Sequence, residues 1–300
     1  MEGQDKEAKQ DWDGAIEAYR AAGDNDEMPG RIETCLYQKA VSLCQKIKDD
    51  GATAEQAIDA LTAIHDRDLF DRARTFFAAE NAFYDIWAAE FSTGCTIELG
   101  TYEQDLDPAD GPEPISWKII CSKDGKALLL SEKVIDAMPF MSGKLRSELN
   151  DMNTDEVWQH SDIYRWTKEE LIKGFADQET VLLTETESGE LFFILDNKEY
   201  KQYCSEEESS SLTATPYALS RDESHHDLRY YKKDSDGTRV PGNAVIWWIR
   251  TGAVKEEGYL YPDDLSMIAG VRPAVWISYE QGPSQDWIDS HYPLPETEKK

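Results

Sequence analysis

Apolar residues recur three and four positions apart up to about residue 92: Trp12, Ala15, Ile16 and Tyr19, then Ile32, Cys35, Leu36, Ala40, Leu43, Cys44 and Ile47. That spacing places one apolar stripe on each of two amphipathic helices. It predicts a third helix over Ala57, Ile58, Leu61 and Ile64. A fourth is predicted over Leu69, Ala73, Phe76, Phe83 and Trp87, with Phe70, Phe77, Tyr84 and Phe91 alongside. Gly23, Pro29-Gly30 and Asp49-Asp50-Gly51 supply the breaks. From Cys95 onward the period becomes two. Residues 96–102 alternate, and 115–121 and 126–131 read as strands of a hairpin around Lys123-Asp124-Gly125. Residues 161–175 read as helix, with Ile163, Trp166, Leu171 and Phe175 inward, and 181–184 and 191–194 as short strands around Glu187-Ser188-Gly189. Residues 205–245 are polar and loop-rich, longer than a compact domain carries unless the loop is functional or disordered. Strand-like apolarity returns at 246–249 and 275–277. In the pair Trp247-Trp248, alternation predicts one ring inward and the other near the surface.

The helical region repeats. Ala15-Ile16-Glu17-Ala18-Tyr19 aligns with Ala57-Ile58-Asp59-Ala60-Leu61, and Asp24 and Asp26 with Asp66 and Asp68, all at an offset of 42 residues. A two-helix unit at that spacing resembles tetratricopeptide-like repeats, which bury their apolar faces by stacking on neighbours and hold peptides or partner proteins. A plain helical spacer is the alternative. The expected organisation is a tetratricopeptide-like region over 1–92, a second domain over 95–280 and a C-terminal tail over 281–300.

The second region carries an ordered set of motifs: Gly100-x-Tyr102-x-Gln104-Asp105, Pro114-Ile115-x-Trp117, Ala127-Leu128-Leu129-Leu130-Ser131, Trp158 to Trp166, Ala214-Thr215-Pro216-Tyr217-Ala218, Trp247-Trp248-Ile249-Arg250 and Gly270-Val271-Arg272-Pro273-Ala274-Val275-Trp276-Ile277. Together, over residues 96–278, they resemble a bacterial domain of unknown function, number 6273. Tyr164 departs from that pattern, standing where an insertion moves the arginine one place on. The resemblance implies the formylglycine-generating branch of the C-type lectin fold. The fold class is then α+β: all-α helical-repeat hairpins, followed by a C-type-lectin-like mixed domain with short strands and long loops. It implies a loop-built surface and names no ligand.

Charge narrows the partners. Lys and Arg number 31 against 60 Asp and Glu, a net charge of -29, so there is no basic excess to release counterions from a phosphate backbone. Nucleic acid and anionic membranes are set aside as partners. No signal peptide opens the chain, and no run of about 18 apolar residues could span a bilayer. With Cys35, Cys44, Cys95, Cys121 and Cys204 widely spaced and no CxxC pair, the reading is a cytoplasmic protein.

The candidate chemistry is sparse. There is no GxSxG, HExxH, P-loop or GxGxxG. Formylglycine-generating activity would need two close thiols, and Cys95, Cys121 and Cys204 are far apart in sequence. His225 and His226 could ligate zinc only with a third fixed ligand. Asp105, Asp107 and Asp110-Gly111 resemble a calcium loop one residue too long, and turn chemistry accounts for them. No catalytic residue, no metal ligand and no cofactor is assigned, with calcium the one cofactor kept in view. Trp117, Trp158, Trp166, Trp247, Trp248 and Trp276 read as core, and Arg272 as a structural guanidinium.

Against the acidic background, Arg221, His225, His226, Arg229, Tyr230 and Tyr231 cluster in one loop. Arg250, Tyr259, Tyr261 and Asp263 mark a second. Tyr, Arg and His give contact area and adaptable hydrogen bonds, so these ten residues form the candidate ligand-binding set. The alternative for 221–240 is a disordered insertion. The function expected is a non-catalytic protein binding a protein or glycan, with a retroelement-diversified target protein as one form of it. The alternatives are a formylglycine-generating-type oxidase or other enzyme on this fold, and a scaffold in which the helical repeats bind the partner.

Overall fold

The computed structural model describes residues 2–23, 26–49, 51–205, 212–221, 229–233, 239–255 and 258–296; at 178, 229–233, 239–244, 255 and 258–259 the backbone alone is described. Asp24, Asp50, His225 and His226 lie outside the described residues. The chain divides into two compact units, Met1–Glu90 with Gln281–Lys300, and Phe91–Glu280.

Among the described residues up to Glu90, six helices follow one another: α1 (Glu2–Glu7), α2 (Trp12–Ala21), α3 (Met28–Ile47), α4 (Ala54–Thr62), α5 (Arg67–Ala79) and α6 (Tyr84–Ala89). Asp11, Thr53 and Asp66 stand at the N-caps of α2, α4 and α5, where each side chain accepts a backbone N–H of the first turn. The repeat-related residues Ala15, Ile16 and Tyr19 and Ala57, Ile58 and Leu61 are all buried in one core. The pattern predicted a single fourth helix, but the chain breaks after Ala79. Asn81 takes a left-handed conformation (φ 59°) before α6 begins, a turn that Asn tolerates at little steric cost. Within 281–296, part of the expected C-terminal tail, Trp287, Ile288, Tyr292 and Leu294 pack in this core. The helix Gln285–His291 returns to this unit, burying Ile288 and setting Trp287 edge-on to Trp87 at 5.4 Å. Tyr292 stacks on Phe83 at 4.9 Å, and its carbonyl accepts from Arg74 Nη1 at 3.0 Å.

The second unit carries thirteen strands among its described residues: β1 (Thr96–Tyr102), β2 (Glu113–Lys123), β3 (Lys126–Ser131), β4 (Asp136–Pro139), β5 (Leu183–Thr184), β6 (Phe192–Phe193), β7 (Arg229–Lys233), β8 (Arg239–Val245), β9 (Trp247–Ile249), β10 (Gly252–Lys255), β11 (Gly258–Leu260), β12 (Ile268–Val271) and β13 (Ala274–Ser278). Helices α7 (Thr154–Gln159), α8 (Asp162–Glu169), α9 (Asp177–Thr180), α10 (Asn197–Tyr203) and α11 (Pro216–Ser220) lie between them. One sheet runs β1-β2-β3-β13-β5, with β6 also on β13; a second runs β11-β10-β9-β12-β4; β7 and β8 form a two-stranded ribbon. Pairing is antiparallel except between β12 and β9. The unit is a mixed α+β fold.

The β2–β3 turn follows from its residues, because Asp124 and Gly125 both adopt positive φ, as a two-residue hairpin matching strand twist requires. Strands β5 and β6, predicted around Glu187-Ser188-Gly189, pair with successive residues of β13 rather than with each other. The stretch 205–245, read as loop, holds α11 and the β7–β8 ribbon. Both Trp247 and Trp248 are fully buried, against the expectation of one ring near the surface. β9 lies between β10 and β12. Trp248 meets Phe140 and donates to the Met138 carbonyl at 2.9 Å, whereas Trp247 meets Tyr200 and Arg272. Alternation therefore separates two covered faces, not a core from a surface.

Candidate functional site

Three polar constellations in the second unit bear on function. The first is inside it. Glu190, 4% exposed, accepts from Trp158 Nε1 at 2.7 Å and from Arg250 Nη2 at 3.0 Å. Arg250 also donates through Nε to the Ile194 carbonyl, and its guanidinium lies 5.3 Å from the ring centres of both Trp158 and Phe193. Asp155 adds a second carboxylate at 3.7 Å. Arg250, a candidate ligand residue, thus faces the interior. It follows directly on β9, and its N–H bonds the Leu195 carbonyl. A buried carboxylate so close must be compensated, and Arg250 is the group that does it.

The second constellation is centred on Asp136, at the start of β4 and 2% exposed. Its carboxylate accepts from the Tyr102 hydroxyl at 2.5 Å and from the Ala137 N–H at 2.7 Å, and Arg221 Nε lies 3.4 Å away. Trp166 Nε1 donates to the Tyr102 hydroxyl at 3.0 Å, and Tyr217 stands edge-on to Tyr102. Burial pushes the Asp136 carboxyl above its ordinary range, although Tyr102, the Ala137 N–H and Arg221 all pull it down. Burial, with the Asp136 charge second, raises Tyr102. The phenol is thereby held protonated as a donor. Here one predicted residue, Arg221, meets Asp136 and Tyr217; its side chain is half exposed and its guanidinium lies over Tyr217 at 5.9 Å.

The third constellation is on the outside. Tyr261 is 64% exposed, and the Arg146 guanidinium lies 4.5 Å from its ring centre. Arg146 Nε donates to the Pro262 carbonyl at 3.2 Å, and the Arg146 N–H bonds the Asp263 carbonyl. The Asp263 carboxylate accepts from the Ser147 N–H at 2.9 Å. Leu145, 42% exposed, bridges to Asp264 in the same place. Tyr261 and Asp263 are therefore brought together with a segment more than a hundred residues earlier that sequence reasoning did not single out. Nothing local in the sequence marks it, because the exposure of Leu145 is set by the fold.

Of the remaining candidates, His225 and His226 lie outside the described residues, and Arg229, Tyr230, Tyr231 and Tyr259 are described by backbone alone, the first three in β7 and the last in β11. The calcium-like stretch forms turns closed by its own side chains, with Asp105 accepting from the Asp107 N–H and Asp107 from the Ala109 N–H. Among the described residues, the cluster with metal-ligand spacing is Glu103, Asp105 and Glu113, whose ligand oxygens lie within 4.8 Å of one another, an oxygen set suited to a hard cation. It shares only Asp105 with the expected loop and includes no cysteine. Arg272 is buried and donates through Nε to the Ser131 carbonyl at 2.6 Å.

The family described as Domain of unknown function (DUF6273) matches residues 124–279, more than half of the chain. The chain belongs to this family. Its DUF6273 stretch contains Asp136, Trp158, Glu190, Arg250 and Tyr261, but it begins after β2, so Tyr102 and the two motifs ahead of residue 124 lie outside it. No curated protein and no solved structure matches the chain. Among the described residues of this DUF6273 protein no helix is long and apolar enough to cross a membrane.

The helical unit has a feature of its own. A cavity of about 420 Å³ is lined by Glu7, Trp12, Thr34, Cys35 and Gln38, among others. Trp12 Nε1 is buried there without an acceptor, and Glu7 accepts from the Tyr19 hydroxyl at 2.5 Å. Burial, with the Glu7 charge second, pushes the Cys35 thiol up to about 11, so it is not a nucleophile at neutral pH.

Proposed function

We propose that this DUF6273 protein is a non-catalytic binding protein, a tetratricopeptide-like helical module joined to a C-type-lectin-like domain that takes a protein or glycan ligand at the face around Tyr261. The observation that carries the reading is the exposed Tyr261 ring, held by Arg146 on a loop pinned through Asp263 to Ser147. An aromatic already ordered before binding gives up little side-chain entropy on contact, which is what makes Tyr a frequent anchor in interfaces. Arg221, at the rim of the Asp136 constellation, is the second exposed candidate. The buried carboxylates and tyrosine of the unit are committed to one another, an arrangement that supports a rigid platform more than a reaction.

The test uses the full chain as bait on a glycan array and in host-cell lysate, beside Tyr261→Ala and a variant with 221–240 replaced by a Gly/Ser linker. Tyr261→Ala is expected to reduce capture about tenfold or more, in the range of an interface anchor. Equal capture by the wild type and Tyr261→Ala would refute the assignment of this face.

The cavity beside Trp12, with its unpaired indole N–H, favours a second reading in which the helical unit holds a partner and the DUF6273 unit is structural. Residues 91–280 tested alone separate the two: a partner lost with the helical unit and indifferent to Tyr261→Ala supports the scaffold reading.

A further inference from the structure

A cavity of about 230 Å³ lies between α8 and the segment from β5 to β6. It is smaller than the roughly 300–1,000 Å³ of sites for drug-sized ligands, so its size suits only a small metabolite. Its apolar wall is Ile172, Leu191 and Phe192. Tyr164 also lines it, its ring edge-on to Trp158 at 5.5 Å and its hydroxyl 3.4 Å from Lys168 Nζ. Glu190 also lines the cavity, but its two carboxylate oxygens are taken by Trp158 and Arg250, so it brings no free charge. That leaves one cation and one anion at the solvent side, Lys168 and Glu185, both exposed.

A simple anion would gain Lys168 but meet Glu185 in a chain of net charge -29, and a simple cation would meet Lys168. A ligand carrying both charges beside an apolar group satisfies every part of the lining. We propose that this cavity binds a free α-amino acid with an apolar side chain, its carboxylate on Lys168, its ammonium on Glu185, and its side chain against Ile172, Leu191 and Phe192. The cavity is distinct from the Tyr261 face. Two of its lining residues, Glu190 and Tyr164, are held in advance by contact with Trp158.

Isothermal titration calorimetry of the full chain against leucine, isoleucine, methionine and phenylalanine tests this, with aspartate, lysine, N-acetyl-leucine and leucinamide as comparisons. Saturable binding of at least one apolar amino acid is expected, weakened about tenfold or more by Lys168→Met and by Glu185→Gln, in line with the loss of a charge-assisted hydrogen bond. Leucinamide is expected to bind Lys168→Met as well as leucine does, because variant and analogue remove the same contact; N-acetyl-leucine and Glu185→Gln form the matching pair. Both substitutions are at exposed positions, and circular dichroism checks the fold. Tyr261→Ala is expected to leave this binding unchanged, which separates its failure from that of the display face. Absence of binding by all four apolar amino acids at millimolar concentration, or binding indifferent to both variants, overturns the proposal.

Discussion

Arg250 directs its donors inward, to a carbonyl and two carboxylates, between two aromatic rings. Replacing it with Met keeps much of its apolar bulk but leaves Glu190 as a buried carboxylate with only Trp158 for a partner. The expected loss is about 3–5 kcal/mol, the usual penalty for stranding one half of a buried pair, measured by guanidinium denaturation of the second unit's transition. Adding Glu190→Gln to Arg250→Met should restore part of that loss. If the single variant costs no more than a surface substitution, the pair is not a closed ionic cluster. Sequence reading set Arg250 beside Tyr261 on a binding loop because its partner is 60 residues away and carries no local mark. Arg272 was legible as structural for the opposite reason: it lies within a dense apolar run, where a guanidinium has no place unless it is satisfied by its neighbours.

At the scale of elements, periodicity was a good guide where near neighbours along the chain set the element. The helices α2 to α4 and the hairpin β2–β3 lie where their patterns put them, with caps and a positive-φ turn at the residues that favour them. It left the partner open where contact with another element decides the outcome. β5 and β6 have two residues each and exist because β13 offers them an edge. The turn Leu171–Gly174 shows the same dependence: a Cβ on Gly174 would lie 1.8 Å from the Thr101 carbonyl oxygen, and the Gly174 carbonyl accepts from Thr101 Oγ1 at 3.1 Å. Gly174→Ala therefore has to push the turn away from β1. We expect it to destabilise the unit by about 1–3 kcal/mol, the range for overpacking, with the midpoint of chemical denaturation as the readout. An unchanged midpoint would mean that the turn is free to move.

At the scale of the molecule, each unit has its own core, and that of the helical unit is closed by residues from the far end of the chain. Deleting 281–300 removes Ile288, the Trp287–Trp87 contact and the Tyr292 stack on Phe83. Hydrogen exchange is expected to accelerate in peptides from α3 to α6 of the truncated chain, while peptides from β3 and β13 keep their protection. Uniform loss of protection would contradict two separate cores. Net charge and the absence of a long apolar helix belong to this scale too, the one read from the sequence and the other among the described residues, and both restrict partners without naming one.

By itself the sequence determined the switch from helical to strand periodicity near residue 95, the recurrence of an apolar pattern at an offset of 42 residues, the motif series of the DUF6273 stretch and the acidity of the whole, because these depend on near neighbours or on composition. Tertiary structure alone decided that Trp247 and Trp248 are both covered, that Arg250 faces Glu190, that Arg146 holds Tyr261, and that Trp287, Ile288 and Tyr292 complete the first core. Those are contacts between segments far apart along the chain. No local spacing encodes them, since a side chain's solvent is set by whatever the rest of the fold brings against it.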